Sequence, residues 1–175
     1  NISSYGTNAL HSNTAGTGNV AVGRDALYNN TTPGQNTAMG FQSMLSNTTG
    51  ANNTATGHQA LYSNTTGTEN TAAGRSALYS NTTAAYNSAF GKDALYANTT
   101  GHSNTAVGRY ALRENTTGNY NTATGFESLR TITTGIENTA VGTFALKLTT
   151  GNSNTGVGYQ CLATNSTATN NAGVG

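Results

Sequence analysis

The sequence predicts an all-β chain: a parallel β-solenoid or β-roll of ten 17-residue coils, associating as a homotrimer. Three observations carry that expectation. The first is a glycine at Gly6, Gly23, Gly40, Gly57, Gly74, Gly91, Gly108, Gly125 and Gly142, resuming after one dropped residue at Gly158 and Gly175. A fixed short period means one structural unit stacked on itself. The second is that two glycine- and asparagine-rich turns per period leave no run of the ten or so residues that a helix needs. The third is a row of sizeable apolar residues at an outward-pointing position.

Each element follows from its place in the repeat, counted from the glycine as position 1. Positions 15 to 17, as in Thr105-Ala106-Val107, predict one short strand, and positions 3 to 6, as in Ser76-Ala77-Leu78-Tyr79, predict a second. The glycine between them permits a bend. The Asn-Thr-Thr-Gly segment that follows is the wider turn, where Gly or Asn adopts positive φ.

Strand alternation assigns the faces. Position 5 is leucine in nine coils and Met44 in the other. Position 6 also accepts Arg113, Arg130 and Lys147, so it reaches solvent and position 5 points inward. The predicted coil core is therefore Leu27, Leu61, Leu78, Leu95, Leu112, Leu129 and Leu146, with position 4 (Ala77 and its equivalents) facing away. Position 16 is always Ala or Gly, which marks a crowded inward site. One Leu and one Ala per coil make a thin core. At about 1.5–3 kcal/mol per buried leucine, a lone chain leans heavily on its backbone ladders.

Position 17 points opposite to position 16, yet carries Val22, Met39, Phe90, Val107, Val141, Val157 and Val174. A continuous exposed apolar stripe marks an interface. The economical partner is the chain itself, as a trimer packed along this row. Thr56 and Thr124 interrupt the stripe.

Composition narrows the function classes. Only 7% of residues are charged, with a formal net charge of +1, which argues against nucleic acid as a partner. No apolar run approaches the roughly 18 residues of a membrane span, so membrane insertion is not expected. The 34% hydrophobic content is low, but strict phase argues against disorder. A chain opening at Asn1 without methionine and stopping in mid-pattern at Gly175 reads as a single repeat array, 1–175, cut from a longer fibrous protein. In a stack, equivalent side chains lie about 4.8 Å apart. A charged column would repel itself, whereas Asn and Thr form ladders. Arg75, Lys92 and Arg109 share position 2 against this rule, with Asp93 beside them.

No enzyme chemistry is expected. His11, His58 and His102 occupy positions 6, 2 and 12, so they do not converge as metal ligands. The six acids are scattered, with no pair at a spacing suited to acid–base work. Cys161 sits where other coils have Ala or Ser and reads as a small packed residue. Catalytic, cofactor and metal sites are each expected to be absent. The tyrosine row Tyr28, Tyr62, Tyr79 and Tyr96 at position 6 is the candidate contact for a cell-surface glycan or protein. Its plainer reading is an aromatic ladder between coils. Six Asn-Thr-Thr triplets, beginning at Asn30, Asn47, Asn64, Asn81, Asn98 and Asn115, are formal N-glycosylation acceptors on a turn, or simply turn chemistry copied with the repeat.

Units such as Asn104-Thr-Ala-Val-Gly-Arg-Tyr-Ala-Leu112, followed by Asn115-Thr-Thr-Gly118, resemble the repeats of bacterial and phage tail-fibre-domain proteins. The Asn-Thr-Ala-Val-Gly core is also similar to the Ser-Val-Ala-Ile-Gly repeat of trimeric autotransporter adhesin heads. That resemblance implies a left-handed parallel β-roll wound as a homotrimer, and an extracellular, cell-surface or virion setting. The adhesin coil is about fourteen residues, and the extra residues here fall in the Asn-Thr-Thr-Gly turn. The expected function is the structural shaft of an extracellular or phage tail fibre, a rigid spacer with an adhesive role. A self-assembling extracellular filament or sheath is the alternative. An ice-binding solenoid is a further one, invited by threonine columns at positions 9, 10 and 15. Against it, positions 9 and 10 are adjacent, and position 15 alone gives one column.

Overall fold

The computed structural model describes every residue except Asn1 and Asn165. It is a parallel β-solenoid with no helix among the described residues. The strands are β1 (Ser3–Tyr5), β2 (Val20–Val22), β3 (Thr37–Met39), β4 (Thr54–Thr56), β5 (Thr71–Ala73), β6 (Ser88–Phe90), β7 (Thr105–Val107), β8 (Thr122–Thr124), β9 (Thr139–Val141), β10 (Thr155–Val157) and β11 (Ala172–Val174). They form one 11-stranded sheet in sequential order. Every pair is parallel and in register, so Ala89 lies against Ala72 on one side and Ala106 on the other. Each strand is the expected segment of positions 15 to 17. Position 16 faces in, with Ala21 through Ala140 wholly buried.

The second strand expected over positions 3 to 6 does not form. This stretch is a pair of turns. The first is closed by the Ala77 N–H on the Gly74 carbonyl at 3.3 Å, the second by the Asn81 N–H on the Leu78 carbonyl at 3.2 Å. Positions 3 and 5 are left-handed, as at Ser76 (φ 54°) and Leu78 (φ 51°). Left-handed residues cancel the period of two, so the face assignment for position 4 is also corrected. Ala77 does not point away from Leu78; both are fully buried. The core is accordingly thicker than one Leu and one Ala. Leu27, Leu61, Leu78, Leu95, Leu112, Leu129 and Leu146 form its spine, flanked by the alanines of positions 4 and 16.

A left-handed leucine costs about 1–2 kcal/mol. Burying it returns about 1.5–3 kcal/mol, and the backbone stays paired between coils, as in the Leu78 N–H to the Ala94 carbonyl at 3.0 Å. Burial thus outweighs the backbone preference.

The wider turn also departs from expectation. Positive φ falls at position 13, as at Tyr86 (φ 62°) and Ser103 (φ 56°), and not on the Asn or Gly of Asn-Thr-Thr-Gly. The asparagine that opens that turn is buried, not projected: Asn30, Asn47, Asn64, Asn81, Asn98 and Asn115 have no exposed surface. Their amides form a ladder, each Nδ2 donating to the preceding Oδ1 at 2.8–3.1 Å. In the folded rod these six acceptors are closed to a glycosylating enzyme.

Position 14 forms a second buried ladder. Its Oδ1 accepts the backbone N–H of the equivalent asparagine one coil on, at 2.9–3.1 Å, from the Asn19–Asn36 junction to Asn154–Asn171. Its Nδ2 donates to the position 11 carbonyl of the next coil, as from Asn87 to Gly101 at 2.9 Å. The coil thus closes on amides as well as on hydrocarbon. The one short coil loses position 10. Thr149 keeps the buried place of position 8, and Thr150 repeats the hydrogen bonds of position 9 before running straight into Gly151.

Candidate functional site

Two outward faces carry the side chains that the sequence singles out. On the sheet, Val22, Met39, Phe90, Val107, Val141 and Val157 line up one per rung, each 37–45% exposed; Val174 at the end is 87% exposed. In-register pairing sets Val22 on Met39 and Phe90 on Val107, with Thr56, Ala73 and Thr124 completing the column. This is an outward apolar row, as the alternation of positions 16 and 17 requires.

The turn face carries position 6. Tyr62 stacks on Tyr79 at 5.0 Å and 4°, and Tyr79 on Tyr96 at 5.2 Å and 10°. Tyr28 stacks on His11 at 4.7 Å and is cut off from Tyr62 by Leu45. The inner rings cover one another's faces, which leaves edges and hydroxyls outward. Such a column holds coils together and offers no open platform along most of its length. Arg113 caps it, its guanidinium 5.4 Å from the Tyr96 centroid.

Beyond Tyr96 this face turns cationic. Lys92, Arg109, Arg113 and Arg130 all lie within 6.0 Å of the Tyr110 ring. Arg109 donates to the Tyr110 hydroxyl at 2.8 Å and thereby lowers its pKa. Glu127 balances the far end. The Lys147 ammonium at 2.8 Å, assisted by Arg130 at 3.2 Å, holds its carboxyl below the usual value despite burial. Position 3 brings these charges together, and sequence reasoning, which placed position 3 in a strand, missed it.

A depressed carboxyl contributes stability that is present above its unfolded pKa and lost as pH falls through the folded one. E127Q is therefore expected to flatten the acid side of the rod's stability profile and leave neutral-side curvature alone. Thermal unfolding from pH 3 to pH 7 checks this; identical acid slopes in both proteins would refute the assignment.

Position 9 threonines are structural. Thr31, Thr48, Thr65, Thr82, Thr99 and Thr116 each donate Oγ1 to the backbone carbonyl of the next coil's threonine at 3.0–3.2 Å. Cys161 is a free thiol, half-buried.

Fold and faces together define the class: a tandem-repeat parallel β-solenoid. No family model, curated protein or solved structure matches the chain.

Proposed function

We propose that this solenoid is the shaft of an extracellular or virion fibre, a rigid spacer assembled from three copies of the chain. The observation that carries the reading is the outward apolar row on an unbroken parallel sheet. Seven of the position 17 residues, from Val22 to Val174, present a sizeable apolar side chain to solvent, and the in-register ladder aligns them into one stripe interrupted at Thr56, Ala73 and Thr124. A stripe of this kind is covered by a partner in a soluble assembly. Packing three such sheets about a common axis buries it and shields sheet surface. Stiffness comes from ladders that repeat at every junction, and reach comes from coil number, at about 4.8 Å per coil.

Sedimentation equilibrium on the full chain tests this. The wild type is expected to run as three chains. V107K combined with V141K places two ammonium groups in the seam and is expected to give monomers with an unchanged circular dichroism spectrum. A wild type that stays monomeric at high concentration would retire the proposal.

A further inference from the structure

The coils are near copies, so a face that departs from the copy needs its own explanation. Position 13 reads Glu69, Tyr86, Ser103, Tyr120, Glu137 across five successive coils. The two tyrosines are 59% and 58% exposed, and both are left-handed, with φ of 62° and 59°. A bulky aromatic residue in that region is disfavoured by the backbone, and neither ring recovers the cost through burial. Local structure therefore does not account for them. Between them the small Ser103 leaves a gap, and His102 enters from position 12. Its ring lies edge-on to Tyr120 at 5.1 Å and 89°, while Nδ1 sits 3.4 Å from Ser103 Oγ. The Asn119 side chain fixes its backbone, accepting from the His102 N–H at 2.8 Å. A cavity of about 310 Å³ opens on the Tyr86 side, lined by Tyr86, His102 and the hydroxyl-bearing Thr83 and Thr100.

We infer that Tyr86 and His102, with Tyr120 backing the imidazole edge-on, form a binding site for a neutral pyranose unit of an oligosaccharide. Two rungs, about 9.6 Å, separate the tyrosines; His102 takes the Tyr120 side of that span, so a saturated ring in the cavity packs against Tyr86 and the imidazole. The volume is at the small end of ligand pockets and suits one sugar. Imidazole and threonine hydroxyls both donate and accept, as a polyol requires. No charged side chain lines the cavity, and Glu69 and Glu137 hold the same repeat position one coil beyond each tyrosine, where their negative charge disfavours anionic sugars. This site does not depend on the shaft reading, since it lies off the apolar row.

The test uses the full chain and NMR titration with neutral tetrasaccharides of β-linked glucose, mannose, galactose and N-acetylglucosamine. At least one is expected to shift the amides of His102 and Ser103 at concentrations up to about 10 mM. Y86S and Y120S introduce the serine that position 13 already holds in Ser103 and Ser153, so the coil tolerates them. Each is expected to weaken binding tenfold or more, whereas Y28A leaves it unchanged. No shift with any of the four sugars would overturn the site. So would Y86S lowering the sedimentation mass while leaving sugar binding intact, which would make the tyrosines a contact between copies.

Discussion

Replacing Asn87 with leucine is expected to destabilise the rod by about 3 kcal/mol, whereas Asn64→Ile is expected to cost about 1 kcal/mol or less. Both side chains are buried asparagines of near-identical volume, so the contrast rests on what each leaves behind. Asn87 Oδ1 accepts the backbone N–H of Asn104 at 2.9 Å, and no other acceptor is positioned there. Its loss strands a buried main-chain donor, a defect that native structures almost never tolerate. The Gly101 carbonyl would keep its second donor, Asn98 Nδ2, at 2.9 Å. Asn64, by contrast, bonds only the amide ladder and the Gly67 carbonyl, which Asn53 also serves at 2.8 Å. Removing it strands one side-chain oxygen, on Asn47, and isoleucine returns apolar burial.

The chain has already performed the milder exchange. Ile132 occupies position 8 with no exposed surface, and Asn115 Oδ1 next to it has no partner. Thr149 takes the same position one coil later with its own hydroxyl unpartnered. Position 14 is asparagine in all ten coils. Urea denaturation of the two variants at equal concentration measures the difference. Equal midpoints, or a larger loss for Asn64→Ile, would remove the distinction between the ladders.

These ladders show what the sequence disclosed and what it did not. The period, the strand at positions 15 to 17, the inward leucines and the outward row at position 17 all follow from repetition and alternation, and the structure has each of them. The invariance of position 14 was equally visible, but its reason was not, because bonding a backbone N–H one coil away depends on a register that no single repeat encodes. Position 8 looked like turn chemistry for the same cause. The stretch from position 3 to position 6 misled because leucine at φ near 50° runs against its local preference. Only stacking stabilises that conformation, through coil-to-coil hydrogen bonds and total burial of the leucine. The cationic cluster at Tyr110 stayed hidden because alternation set Arg109 and Arg113 by position alone, whereas two consecutive turns bring them over one ring.

The largest single loss is expected for Gly74→Ala. At position 1 the backbone has φ +140°, which side chains rarely adopt, and a Cβ there would lie 2.5 Å from the Gly91 carbonyl oxygen. Neither partner is a flexible side chain, so the coils themselves must separate. Conformational strain and steric overlap act together, and a loss of about 4 kcal/mol or more follows. Gly101→Ala at position 11 is the control. Its Cβ would also crowd a carbonyl, 2.4 Å from Gly118, but no positive φ applies there, and Ala84 and Pro33 already fill that position elsewhere. Because coils touch only their neighbours, a damaged junction weakens coupling and leaves the flanking coils folded. The wild type is expected to melt in one transition, and Gly74→Ala in two, one for the coils on each side of the break. Hydrogen exchange should then show early loss of protection at the Gly91 amide, which bonds the Ala73 carbonyl at 2.8 Å. A single transition at the wild-type midpoint would mean that the glycine column is not what holds successive coils at their spacing.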